Sequence, residues 1–393
     1  MIYTSLSTLC RSLIYLCFLQ ICLLGCESPP SSPVDPSSAL ETFPTLSPLF
    51  IDDFVFLGVW ENPNQEETWF VGGNLTQRII ARYTARDHTI RIHLQEEGSP
   101  LWWVWGQGED VWASGEQGTL LKLNRQTDLW EPEAIQLEEE QADKLIIWGM
   151  WGDSNGQWAV GGSVRRGGPK GVLLHRTHLP EASNESNEAQ SDVYWERIRL
   201  DLLPMEDPND PIVGLNLYKI WGDTEGVIWC VGEGGFSAFN LDPSNQDWQA
   251  SPLITPPTLL FTLHGSNQDQ LWTVGGYQNG LIWKWDPSRM QWNDYPLSFV
   301  PPLNGVFTSK DWLYLVGQQG YVGRLPLNPS WFDSPLPPPS FLQTQRILGT
   351  ETMTFHATSS IKDELWVVGG TLDTFQTGVI LTHMQPIPRL EIP

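Results

Sequence analysis

The chain has 393 residues, and its 22 Lys plus Arg against 46 Asp plus Glu leave a formal net charge of −24, a field that repels nucleic acid. Its 21 Trp exclude a disordered chain, while 35 Gly and 31 Pro, spread along the sequence, suit many short strands joined by tight turns. Four of the five Cys fall within the first 26 residues and only Cys230 lies beyond them, so no disulfide framework holds the fold.

In chain order, residues 1–11 carry one charge, Arg11, and an apolar run of thirteen residues follows over 12–24. That run is short of the roughly 20 residues a membrane span needs, which argues against an uncleaved anchor, but it is normal for a secretory signal. Its end, Leu23-Leu24-Gly25-Cys26, resembles the lipobox of bacterial lipoproteins. The resemblance implies a signal peptide over 1–25, cleavage before Cys26, and acyl chains on Cys26 that anchor the protein to a membrane. Glu27, standing where an inner-membrane retention signal has Asp, points to the outer membrane of the cell envelope. Pro and Ser dominate residues 26–50, a composition that makes a semi-extended tether.

From residue 51 to 393 one unit recurs seven times: an aromatic-Gly, a polar turn, Trp-x-Val-Gly, a Gly-rich turn and a short apolar run. The copies end on Gly72, Gly115, Gly161, Gly232, Gly275, Gly317 and Gly369, separated by 43, 46, 71, 43, 42 and 52 residues. Those spacings predict an all-β, seven-bladed β-propeller of four-stranded antiparallel blades. The 71-residue gap holds two polar stretches, 181–188 and 205–211, around a strand at 193–198, so blade three is read as intact with long loops. Its four strands are expected over 145–151, 157–161, 171–176 and 194–199. Trp158 and Val160 point to one neighbouring blade and Ala159 to the other. The Gly after Val, and Gly152 and Gly222 after their strand-A tryptophans, are expected to supply a positive φ or a close approach. Trp130, Trp195, Trp248, Trp292 and Trp331 mark fourth strands. Trp60, Trp105, Trp151 and Trp221 mark first strands, and His264 and His356 are read as taking that same aromatic place. All of these are read first as packing. Cys230 is read as a small buried apolar residue.

The unit at 151–162 resembles the BNR-like repeats of secreted bacterial propellers. The stretch 271–296, with Gly275-Gly276, Trp285-Asp286-Pro287 and Trp292, is similar to kelch repeats. Neither family has one activity, so the resemblance implies a fold only. The ring has two ways to close. Either Arg389-Leu390-Glu391-Ile392 forms the last strand, or Leu49-Phe50-Ile51 supplies it from the N-terminal side.

No nucleophile elbow, phosphate loop, dinucleotide fingerprint or metal-ligand spacing is present, so no catalytic residue, cofactor or metal is expected. The binding candidates come from topology. The turns between second and third strands emerge on one face, which gathers Glu116, Gln117, Arg165, Arg166, Glu233, Tyr277, Gln278, Gln318 and Gln319 on a rim suited to polar ligands. The leading reading is a monomeric binding or scaffold module for a protein or glycan partner. The alternative, an envelope enzyme (glycan lyase, hydrolase or oxidase), requires clustered His, Tyr, Arg or carboxylates at the channel mouth.

Overall fold

The computed structural model describes residues 42–391, apart from 63, 155, 179–192, 199, 201–214, 243–246, 298–299, 328–338 and 362–363. The signal segment, Cys26, the stretches 181–188 and 205–211, and Trp331 lie outside the described residues.

Seven antiparallel sheets, one per repeat, form the propeller. Strand A of the successive blades is Val55–Asn62, Leu101–Gln107, Ile146–Asp153, Leu217–Gly222, Leu260–Gly265, Leu303–Thr308 and Thr354–Ile361. Each strand A packs on that of the next blade, and the seventh packs on the first. Strand B carries the Trp-x-Val-Gly motif, as in Glu67–Gly73 and Gly156–Gly162, and strands C and D follow outward.

Blade three shows why both faces of strand B are apolar. Trp158 and Val160 pack against Leu217, Ile220 and Cys230 of blade four, while Ala159 clusters with Trp105 and Trp112 of blade two. The strand-B indoles Trp69, Trp112, Trp158, Trp229, Trp272 and Trp366 are all buried. Each takes roughly 150–250 Å² out of water, worth on the order of 4 kcal/mol at about 25 cal/mol per Å² before the entropy of ordering. Cys230 is fully enclosed in this layer, and burial pushes its thiol up to about 12, so it fills space and is not reactive.

The glycine that ends each strand-B motif is required by close approach. None of the seven has a positive φ. A Cβ on Gly72, Gly161, Gly232 or Gly275 would instead overlap the carbonyl oxygen of Val55, Ile146, Asn216 or Leu259, at the start of the same blade's strand A. Gly106 and Gly222 make room differently. A Cβ there would enter the indole of Trp60 or Trp151 from the preceding blade.

Both candidate closing segments are used, in different blades. Ser47–Asp52 pairs antiparallel with Thr377–Thr382 and completes blade seven from the N-terminal side, straddling residue 50, where composition alone ends the tether. Arg389–Glu391 crosses to blade one and pairs parallel with Thr89–Glu97, where Arg91 binds Glu391 at 2.7 Å. The approach to the closing strand is fixed too: Leu46 N donates to Gln345 Oε1 (2.8 Å), Gln345 Nε2 donates to Pro44 O (3.1 Å), and Phe43 lies over the Arg324 guanidinium.

Blade three gains a fifth strand, Ala134–Ile135, parallel to Val193–Ile198. Glu133 holds this seam. It pairs with Arg176 at 2.7 Å and accepts from the indole N–H groups of Trp112 (3.3 Å) and Trp195 (2.8 Å).

Two expectations need correction. Blade six takes its fourth strand from Gln343–Gln345, later in the sequence than Trp331 and than the prolines at 335 and 337–339, which carry no N–H to donate to a ladder. His356 does not hold the place of Trp60; Ser359 does, in register with Trp366. His356 sits three residues earlier, at a bulge.

Candidate functional site

The B–C turns and the loops leading into strand A share one face. In blades two, four and six the turn is closed by the same hydrogen bond, as in Thr119 N to Glu116 O (3.1 Å), Phe236 N to Glu233 O (3.0 Å) and Tyr321 N to Gln318 O (3.2 Å). Its second residue has a positive φ: 56° at Gln117, 67° at Gly234 and 59° at Gln319. The third residue, Gly118, Gly235 or Gly320, donates its N–H to a loop carbonyl of the next blade, that of Leu145, Thr258 or Met353. Each of these three turns is therefore tied to the next blade by a backbone hydrogen bond.

The sequence-derived candidates do lie on this rim, but on separate turns around the ring. Two come together: Arg165 Nη2 stands 4.0 Å from Glu116 Oε2, across the junction of blades two and three. Glu233 is committed internally. Its carboxylate accepts from Asn216 N (2.9 Å), Asn216 Nδ2 (3.0 Å) and Tyr218 OH (2.8 Å), so it braces the start of strand A in blade four. Burial, followed by the Glu233 charge, raises the Tyr218 phenol. Arg166, Gln117, Tyr277, Gln278 and Gln319 are exposed, and Gln318 is half-buried.

Polar tips are only part of this face. The most exposed large apolar side chains are Leu348 (83%), Leu75 (77%), Val164 (70%), Leu129 (62%), Tyr277 (61%) and Leu253 (59%), and all but Leu129 belong to this side of the ring. Leu75 follows Gly73-Asn74, and Val164 precedes Arg165-Arg166. An apolar residue at the tip of a Gly-flanked turn was the signal available in the sequence.

The central channel is built by strand A. Every strand A carries a β-bulge at the same place, shown by register shifts at Leu57, Trp102, Trp148, Tyr218, Phe261, Asn304 and His356. A bulge re-aims its side chain. Several of these residues meet as a layer below the rim, with ring centroids 4.9 Å apart for Trp148–Tyr218, 5.6 Å for Tyr218–Phe261 and 5.4 Å for Trp102–His356. Three residues further along lie Trp60, Trp105, Trp151, Trp221, His264, Phe307 and Ser359, each paired across the sheet with the strand-B aromatic. Six aromatic rings and one serine thus surround the end of the channel nearest the A–B turns. At the serine, Glu61 Oε2 accepts from Ser359 Oγ (2.5 Å) and Ile361 N (2.7 Å), latching blade one to blade seven.

Two histidines are set in opposite tautomers. Thr308 N–H donates to His264 Nδ1 (2.9 Å), so the neutral His264 ring carries its proton on Nε2. His356 Nδ1 donates to Leu57 O (2.7 Å), which leaves its Nε2 as acceptor. Burial, with the nearby Lys219 amine, pushes His264 down to about 3. Burial likewise lowers His356 to about 4, with Lys219 again adding to the shift. His264 also lines the channel cavity. Among the described residues no group of three or more His, Cys, Asp or Glu is arranged to hold a metal ion, and no helix is long and apolar enough to cross a membrane.

These features define a seven-bladed β-propeller with a mixed polar and apolar rim and an aromatic-lined channel. Among solved structures the chain is similar to YCF48 from Cyanidioschyzon merolae, with a TM-score of 0.53 and 10% identity over 84% of this chain and 95% of that one. It is also similar to a structure titled YCF48 bound to D1 peptide, with a TM-score of 0.54 and 12% identity over 87% of this chain and 97% of that one. No family profile and no curated protein matches the sequence. At these identities the likeness shows the fold alone.

Proposed function

We propose that this protein is a lipid-anchored, extracytoplasmic binding module that holds a protein partner on its B–C turn face. The observation that carries the reading is the concentration of exposed Leu75, Val164, Leu253, Tyr277 and Leu348 on that one face, interleaved with Arg165, Arg166 and glutamines. Apolar anchors within a polar surround are what a protein interface requires. A solved propeller of the same fold, by its title, binds a peptide. Its binding face is not assumed to be the same.

The test compares two multiple variants. Leu75→Ser, Val164→Ser, Tyr277→Ala and Leu348→Ser together should abolish recovery of the partner that the wild type retains from solubilised membranes. Leu129→Ser, Leu241→Ser and Met290→Ser, on the opposite C–D turns, should leave it intact. Equal recovery by both would defeat the assignment of the face, and release by free glycans in place of protein would favour a glycan ligand.

The anchor is proposed from the Leu23-Leu24-Gly25-Cys26 motif and the Pro/Ser tether after it. Cys26→Ser should remove incorporation of labelled palmitate and move the protein from the membrane to the soluble fraction. Unchanged fractionation and labelling would sink this part of the reading.

A further inference from the structure

The channel contains a buried amine that faces a cavity with no acidic residue in its lining. Lys219 follows the bulge of strand A in blade four, at a position where the other blades carry Gly58, Trp103, Gly149, Thr262, Gly305 and Ala357. It is 6% exposed and makes no hydrogen bond or ion pair among the described residues. Its stem packs over Gly149, and its Nζ lies 2.7 Å from the centroid of the Trp103 ring.

This amine lines a cavity of about 220 Å³ walled by Trp60, Trp105, Trp151, Trp221 and Phe307. Trp60, Trp151, Trp221 and Phe307, near the A–B turns, are partly exposed, so the cavity opens on that face, away from the proposed partner surface. Of the chain's 46 acidic residues, none is among the residues lining the cavity. A buried amine is costly to retain unless something satisfies it. Here Thr262, Leu263, Val306, Thr358 and Ser359 offer no anion.

We propose that the cavity is a binding site for a small organic acid with a single-ring aromatic or branched apolar body, its carboxylate paired with Lys219 and its body held between the tryptophans. A cavity of roughly 150 Å³ holds benzene, so the space suits one ring and a short acid arm. Aromatic walls alone also suit a cation. Lys219 excludes that ligand, because its amine already covers the face of Trp103 and no acidic residue lines the cavity to balance a second positive group. The His264 Nε2–H adds a donor at the same wall. Burial lowers the Lys219 amine, so an incoming carboxylate would restore its charged form. The site is independent of the rim and of whatever protein the rim holds.

The experiment is a titration of the signal-free protein, followed by tryptophan fluorescence and calorimetry, with three acids of graded size: benzoate, phenylacetate and indole-3-acetate. The neutral phenylacetamide and the cationic phenethylamine serve as controls. Phenylacetate should bind saturably and more tightly than the two-ring indole-3-acetate, phenylacetamide at least tenfold more weakly than phenylacetate, and phenethylamine not at all. Lys219→Met and Lys219→Thr, the second copying the residue of blade five, should each weaken acid binding tenfold or more while melting at or above the wild-type temperature. The rim variant Tyr277→Ala should bind the acids normally. Failure of phenylacetate to saturate, indole-3-acetate binding as tightly as phenylacetate, equal binding of acid and amide, or unchanged binding in two folded Lys219 variants would each overturn the proposal.

Discussion

At the residue scale, four histidines make stability depend on pH in one direction. His93, His175, His264 and His356 are all held below their ordinary value of 6.5, with burial as the first cause. Below that value the unfolded chain takes up protons that the folded one refuses. Their contribution is therefore complete above pH 6.5 and is lost as the pH falls toward their folded values. Carboxylates such as Asp87, whose ordinary value is 3.8, leave most of the interval between pH 6.5 and 5 to the histidines. Urea midpoints should fall steadily across that interval, and the fall should be shallower in His264→Gln and His356→Gln. A flat profile in the wild type would contradict the enclosed, neutral state of these rings.

Elements are where the sequence is most and least readable. The Trp-x-Val-Gly strands are legible because a β-strand buried on both faces by neighbouring blades leaves little choice of residue, and a glycine against a carbonyl leaves none. Fourth strands are less legible. Trp195 and Trp292 mark theirs, whereas blade six uses Gln343–Gln345, a polar half-exposed strand with no composition to betray it. Bulges are the third case. One extra residue shifts the phase of strand A, so the layer holding Lys219 cannot be assigned by counting back from the tryptophan. Blade seven has Ser359-Ser360 where blades two to five have an aromatic or His followed by Gly, so the aromatic ring nearest in sequence, His356, imitates a position that Ser359 holds. Closure depends on an element too short to be conspicuous, Ser47–Asp52. Ile51 of that strand is 3% exposed and packs with Phe54, Phe56 and Ile380. Ile51→Asp should destabilise the protein by about 3 kcal/mol or more, read as a lowered urea midpoint. A change below about 1 kcal/mol would mean that the strand is dispensable.

For the whole molecule, the number of blades and the face presented by the B–C turns follow from repeat count and strand order, so the rim residues could be named before any coordinates. What stands on the rim is another matter, since Glu233 is a brace and the apolar tips Leu75 and Leu348 carry no repeat signature. The channel interior was hidden for a physical reason. It is assembled from one short segment of each of seven distant repeats, and no local pattern records which side chains meet there. The ring also has an order in time. The partner of Ser47–Asp52 is Thr377–Thr382, nearly the full length of the chain away. At about 5–20 residues per second a ribosome needs roughly twenty seconds to a minute to span that interval. Throughout it, Leu49, Phe50 and Ile51 are a strand edge without a neighbour, among the first parts of the fold to be made and among the last to find their place.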